Sequence, residues 1–109
     1  MNPKISIITP VFNASEYLEI SINSVLSQSL DTIELILIND GSTDNSLDIC
    51  KSYELNDSRV TVIDQINKGV ASARQSGLRV ARGEYIIHLD SDDYFFEDAL
   101  EKLYNEAVT

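Results

Sequence analysis

The stretch IELILI at residues 33–38 is apolar except at Glu34 and is rich in β-branched isoleucine. Three further blocks of this kind are ISIIT at 5–9, VTVI at 60–63 and YIIHL at 85–89. Continuous apolar runs of this length are typical of strands buried on both faces of a parallel sheet. The intervening segments have helical periodicity, as parallel connections require. The sequence therefore predicts an α/β fold: an open, mostly parallel, Rossmann-like sheet of four strands with helices on both faces.

Four helices are predicted, one after each strand. The first begins at Asn13, which has capping-box spacing with Glu16, and the second follows Ser42-Thr43-Asp44. The third begins near Gly69 and presents Ala73 and Gly77 to the sheet, and the fourth begins at about residue 97. Because ligands of open α/β sheets bind beyond the carboxyl ends of the strands, the loops after the strands are the expected location of the site.

Composition excludes several classes of protein. The 109 residues suit one domain, and 18 Asp+Glu against 8 Lys+Arg give a net charge of −10, which argues against a nonspecific nucleic-acid binder. Cys50 is the only cysteine, so we expect no internal disulfide and no multi-cysteine zinc site. No apolar run is long enough to span a bilayer, and the N-terminal residues lack the pattern of a signal peptide, so we expect neither a transmembrane helix in this chain nor a signal peptide. We expect a cytoplasmic location, either free or at the inner face of a membrane.

Acidic residues concentrate near the end of the chain: residues 84–109 hold 8 acids and 1 base. Asp90, Asp92 and Asp93 directly follow the fourth strand. Such oxygen-rich clusters suit Mn²⁺ or Mg²⁺, which bind through one or two carboxylates together with substrate phosphates. The alternative is an acidic turn in which Asp92 or Asp93 caps the next helix. The cation site is the favoured interpretation because the cluster lies where ligands of this fold bind.

The loops after the other three strands carry further candidates. Phe12 either stacks on a base or packs on the first helix, and packing is favoured when it is considered alone. Asp40 can accept hydrogen bonds from a base imide or a ribose hydroxyl. By contrast, residues 42–44 are explained by a turn and the cap of the second helix. Lys68, Arg74 and the N-terminus of the third helix suggest a diphosphate cradle, with a solvated surface loop as the alternative.

Considered together, four segments resemble the motifs of the family 2 glycosyltransferases, which have the GT-A fold. The segments are residues 7–13 (IITPVFN), 34–44 (ELILINDGSTD), 67–74 (NKGVASAR) and 83–93 (GEYIIHLDSDD). They occur in the family's order and spacing, and they cover nearly the whole chain. The resemblance implies metal-dependent transfer of a sugar, with inversion, from a nucleotide-diphosphate donor that is UDP-linked. The acceptor would be the hydroxyl of a saccharide or a lipid-linked molecule, as in polysaccharide biosynthesis.

The resemblance also implies roles for individual residues. The turn formed by Thr9, Pro10, Val11 and Phe12 would hold the base and ribose together with Asp40, and Phe12 would stack on the base. Asp64 would lie near the base and Arg74 near the diphosphate. Asp90 and Asp92 would form the family's DxD motif, with Asp92 as a metal ligand, Asp90 nearer the ribose, and Asp93 assisting.

Length is the main departure from the family, whose members are typically about twice as long. We therefore interpret residues 1–109 as a single nucleotide-sugar-binding domain that is truncated at its C-terminus and binds donor and metal only. The general base is expected beyond Thr109, and an uncovered sheet face makes self-association a risk.

Two other functions remain open at this point. In an aspartyl-nucleophile phosphatase of α/β fold, Asp90 would be the nucleophile and Asp92 the general acid. A non-catalytic nucleotide-binding module would need no general base.

Overall fold

The computed structural model describes residues 2–109, which form alternating strands and helices. In chain order the elements are β1 (Ile5–Val11), α1 (Leu18–Leu26), β2 (Ile33–Asp40), α2 (Ser46–Asn56), β3 (Val60–Gln65), α3 (Val70–Val80), β4 (Tyr85–His88) and α4 (Ala99–Ala107). All neighbouring strands pair in parallel, in the order β3-β2-β1-β4. The predicted α/β fold is confirmed. No helix within residues 2–109 is long and apolar enough to cross a membrane.

The sheet separates two apolar clusters. The larger one joins the odd-numbered apolar residues of β1 and β2 to α1, α2 and α4. The smaller one joins Ile8, Ile36 and Ile38 to Ala73 of α3 on the opposite face. This division follows from the strand order, because the chain moves outward from β1 to β3 and then returns past β1 to β4. A right-handed crossover places the helix of the return connection on the other face.

Strands β1 and β2 extend two residues beyond their predicted ends, because parallel pairing continues through Pro10↔Ile38 and Val11↔Asn39. Proline is tolerated within β1 for a specific reason. The carbonyl of Ile8 accepts from Leu89, so the even-numbered residues of β1 face β4. Since β4 ends at His88, Pro10 faces a position where no ladder bond needs its missing N–H.

The expectation that all four strands are buried on both faces is wrong for β3 and β4. Strands β1 and β2 are almost completely buried, whereas β4 is exposed at three of its four positions and β3 is mixed. Both are edge strands. Helix α3 packs against β1 and β2, so Ile86, on the same face of the sheet but in β4, is left exposed. Apolar content alone predicts that a segment is a strand, but it does not distinguish a central strand from an edge strand.

The first helix begins later than predicted. Asn13 does not cap it, because α1 starts at Leu18 and Asn13 has a positive φ of 47°. The fourth helix begins at Ala99, two residues later than predicted, with Leu100 buried and Leu103 exposed. The third helix begins at Val70, directly after Gly69, as the sequence indicates.

Helix α3 lies unusually close to the sheet at Gly77. A Cβ atom added there would lie 2.6 Å from Cγ2 of Ile8 and 3.0 Å from Cδ1 of Ile38. Because a β-branched isoleucine has little χ1 freedom, the helix itself would have to move outward. Gly77 therefore determines the distance between α3 and the centre of the sheet.

We expect Gly77→Val to lower the free energy of unfolding by about 1–3 kcal/mol, since overpacking forces backbone shifts. The matched control is Gln75→Val, which places the same side chain at an exposed position of α3. Urea unfolding monitored by circular dichroism measures both variants. Equal stability of the two would contradict the close packing.

Candidate functional site

An open cleft of about 580 Å³ lies at the carboxyl edge of the sheet. One side is formed by the end of β1 and the loop after it, the other by the loop after β4. Strand β1 is the point at which the strand order reverses, and α/β sheets bind ligands in the crevice outside such a switch point. The cleft is therefore where the topology predicts a ligand.

Two aromatic side chains form the β1 side of the cleft. Phe12 and Tyr17 are 50% and 49% exposed, and both line the cleft. Large aromatic surfaces left half exposed at a concave site suit the face of a flat ring. The structure thus places Phe12 at the cleft rather than in the core beneath α1.

The loop that carries Phe12 is held by a set of hydrogen bonds to the loop after β2, which we call the loop clamp. Oδ1 of Asn13 accepts from the N–H groups of Thr43 (2.7 Å) and Asp44 (3.3 Å). In return, the N–H of Asn13 donates to Oγ of Ser42 at 3.0 Å. Asparagine tolerates positive φ, which lets its side chain reach across to the neighbouring loop.

Asp44 completes the loop clamp. Its carboxylate accepts from the N–H groups of Ser46 (2.9 Å) and Ser15 (3.2 Å). Hydrogen bonds from Ser46, opposed in part by desolvation and supplemented by Ser15, lower the pKa of Asp44 to about 2. Of the three predicted cap residues, only Asp44 bonds to the start of α2, and the N-cap position itself is Asn45. Residues 42–44 also fix the neighbouring loop.

Asp40 forms part of the floor of the cleft and is 4% exposed. Its Oδ1 accepts from the N–H of Lys68 (2.9 Å) and from Nε2 of Gln65 (2.9 Å), and its Oδ2 accepts from the N–H of Gly69 (3.0 Å). Burial alone would raise the pKa of Asp40, but these three hydrogen bonds together lower it. Asp40 therefore carries a negative charge and ties β2 to the start of α3.

Gly41 lets the loops after β2 and β3 come into contact. It has a φ of 73°, and an added Cβ would lie 2.7 Å from the backbone nitrogen of Asn67. Only glycine fits both the left-handed conformation and this close approach. The contact brings Asn67, Gly69 and Val70 to the floor of the cleft beside Asp40.

The acidic cluster forms the β4 side of the cleft. Asp90, Asp92 and Asp93 are exposed, and one carboxylate oxygen from each lies within 4.8 Å of the others. The N–H of Asp93 donates to the carbonyl of Asp90 at 3.0 Å, which closes the turn. Nη2 of Arg74 lies 3.2 Å from Oδ1 of Asp90. The turn therefore brings three carboxylates together, with the guanidinium of Arg74 beside that of Asp90.

The structure brings only some of the predicted residues to the cleft. Those that line it are Pro10, Val11, Phe12, Asp40, Asp90 and Asp92. Asp93 belongs to the acidic cluster, and Arg74 reaches the site through Asp90. Lys68 donates its backbone N–H to Asp40. Asp64 lies one residue before the end of β3, outside the lining of the cleft, and accepts from Nδ2 of Asn39 at 3.0 Å.

Thr9 is buried within β1 and does not line the cleft. Its hydroxyl has no hydrogen-bond partner within residues 2–109. Sequence reasoning missed Asn13 and Tyr17. The signal for Asn13 was ambiguous, because asparagine is preferred both at helix N-caps and at positive φ.

Comparison with known proteins identifies the family. The model of glycosyl transferase family 2 matches residues 6–109, and the chain therefore belongs to this family. It is 44% identical over 108 residues to glycosyltransferase GlyG of Streptococcus pneumoniae, covering 98% of this chain and 36% of that protein. It is 51% identical over 104 residues to an uncharacterized glycosyltransferase of Haemophilus influenzae, covering 94% of this chain and 42% of that protein.

A solved structure agrees with this assignment. TarS of Staphylococcus aureus (residues 1–349, in complex with UDP) superposes with a TM-score of 0.86 and 29% identity, covering 94% of this chain and 31% of that one. The chain spans roughly a third to two fifths of the length of these proteins. Family membership favours the glycosyltransferase interpretation over the phosphatase and the non-catalytic module.

Asp44→Asn should destabilise the fold, because it removes the charge that the N–H groups of Ser15 and Ser46 stabilise. The pKa of Asp44 lies below that of an unfolded Asp, about 3.9. Its contribution is therefore complete above pH 4 and disappears as the pH falls through about 2. Thermal unfolding of wild type and variant between pH 6 and pH 2.5 should show a difference that shrinks with acidification.

The control for this experiment is Asp48→Asn, an exposed acid on α2. It makes no side-chain hydrogen bond with the described part of the chain. A pH-independent difference between wild type and Asp44→Asn would contradict the assigned role of the carboxylate.

Proposed function

We propose that this chain is the donor-binding part of a metal-dependent, inverting glycosyltransferase that uses a UDP-linked sugar. The observation that carries the proposal is the composition of the cleft. An exposed aromatic ring, a buried anionic acceptor and three clustered carboxylates meet at the switch point of the sheet. These three groups match the base, its polar edge and the metal-bound diphosphate of such a donor.

The base would lie between Phe12 and Asp40. A carboxylate has about four acceptor positions, and protein donors occupy three of those of Asp40. The remaining position suits a single N–H donor, such as the imide of uracil. The binding of UDP and UDP-GlcNAc by TarS, which is 29% identical, supports this choice of base.

The acidic cluster has a donor set that fits Mn²⁺ or Mg²⁺, since both cations prefer carboxylate oxygens. Asp92 and Asp93 would hold the ion, because Asp90 is already paired with Arg74. When bound, the metal would neutralise the departing diphosphate as a Lewis acid. The N-terminus of α3, at Gly69 and Val70, faces the same cleft and favours negative charge there.

The proposal extends to the rest of the reaction. The domain comprising residues 1–109 would bind donor and metal, and the acceptor would be a saccharide or a lipid-linked molecule. The general base, which removes the proton of the acceptor hydroxyl, is predicted to lie beyond Thr109. On its own, this chain should bind the nucleotide without transferring sugar.

Isothermal titration calorimetry with UDP and Mn²⁺ tests the proposal. We expect Asp92→Ala to weaken Mn²⁺-dependent binding at least about tenfold, because even outer-shell substitutions at metal sites have effects of this size. Glu106→Ala is the matched control: it removes the same charge from an exposed position on α4. Equal heats for wild type and Asp92→Ala would refute the metal site, and the absence of UDP binding by wild type would refute the donor assignment.

A further inference from the structure

Asn13 directly follows Phe12 and connects the loop after β1 to the loop after β2. Its Oδ1 accepts from the N–H of Thr43 at 2.7 Å, and from the N–H of Asp44 and the hydroxyl of Thr43 at 3.3 Å each. Its own N–H donates to Oγ of Ser42 at 3.0 Å. Asn13 also lines the cleft, so these bonds lie at the edge of the proposed donor site.

The backbone is held on both sides of Phe12. Before it, Val11 pairs with Asn39 in the parallel ladder between β1 and β2. After it, both the side chain and the N–H of Asn13 bond to residues 42–44. The ring of Phe12 is half exposed and has no hydrogen-bonding group of its own, so its position depends largely on this backbone.

The loop after β2 also carries the other half of the proposed base site. Asp40 is the last residue of β2 and lies two residues before Ser42, so the loop clamp ties the Phe12 side of the cleft to the Asp40 side. Because the two sides are connected before a ligand arrives, the separation of the ring and the carboxylate is set in advance. Binding a flat base then requires little ordering of the protein, and such ordering costs affinity.

We propose that Asn13 is a positioning residue for the base of the donor: it acts through Phe12, by holding the ring where a base can stack on it. This inference rests on the proposed donor-binding function. Its physical basis is that a site which is competent only part of the time has its affinity lowered by the competent fraction. Without the side chain of Asn13, the loop would occupy other conformations as well, and the ring of Phe12 would meet the base less often.

The test measures, by isothermal titration calorimetry, the dissociation constants of UDP and of inorganic pyrophosphate, each with Mn²⁺. Asn13→Gly removes the side chain and keeps the positive φ, which glycine adopts readily. We expect it to weaken UDP binding about tenfold, as a fall of the competent fraction to about one tenth would do. Pyrophosphate has no base and would bind at the acidic cluster across the cleft, so its affinity should stay within about twofold of the wild-type value.

Asn105→Gly is the matched control. It makes the same substitution at an exposed position of α4, a helix whose end contacts the start of β4 at the other edge of the sheet. Its affinity for UDP should equal that of wild type. A merely structural role of Asn13 would weaken UDP and pyrophosphate alike in Asn13→Gly, and that result would overturn the proposal, as would unchanged binding of UDP.

A double-mutant cycle separates action through Phe12 from an independent effect. If Asn13 acts through Phe12, adding Asn13→Gly to Phe12→Ala should not weaken UDP binding further, because the ring is already absent. A further loss as large as that of Asn13→Gly alone would overturn the role of Asn13. Failure of wild type to bind UDP at all would instead refute the proposed function.

Discussion

The pairing of β1 with two neighbours is the constraint on which the rest of the structure depends. Strand β1 pairs with β2 on one side and with β4 on the other, although β4 comes last in the chain. The connection that returns to β4 must cross the opposite face, so α3 separates from the other three helices. The same reversal leaves the ends of β1 and β4 facing each other across the cleft, where Phe12 meets the acidic cluster.

The sequence predicts the elements well because their signals are local. Four apolar blocks give four strands, and Gly69 marks the start of α3. Prediction from the sequence fails where the partners of a residue are distant along the chain. Asn13 and Glu16 have the spacing of a capping box, but the partners of Asn13 lie some 30 residues away on the loop after β2. Similarly, Asp40 is recognisable as a polar residue after a buried strand, but the three hydrogen bonds that it accepts from Gln65, Lys68 and Gly69 depend on the packing of the segment at the start of α3.

The excess of negative charge after residue 83 divides into two parts once contacts are known. Several acids outside the cluster have partners on neighbouring residues or elements, namely in the pairs Tyr104–Glu84, Ser29–Glu101 and Lys102–Asp98. Asp92 and Asp93 accept no side-chain hydrogen bond and form no ion pair within residues 2–109. Carboxylates held together without compensation make the local electrostatic potential more negative, and a divalent cation would offset it. The composition shows the excess, but only the fold separates the compensated acids from the uncompensated ones.

The proline in β1 has a consequence for the width of the cleft. If residue 10 carried an N–H group, a longer β4 could continue its ladder with β1, and the two strand ends would be closed together by backbone bonds. Because Pro10 lacks that donor, the ladder between β1 and β4 cannot continue past the pair Ile8↔His88 into the segments that carry Phe12 and Asp90. Pro10 therefore prevents backbone pairing between β1 and β4 from extending into the cleft. A ligand can then enter the cleft without breaking backbone hydrogen bonds.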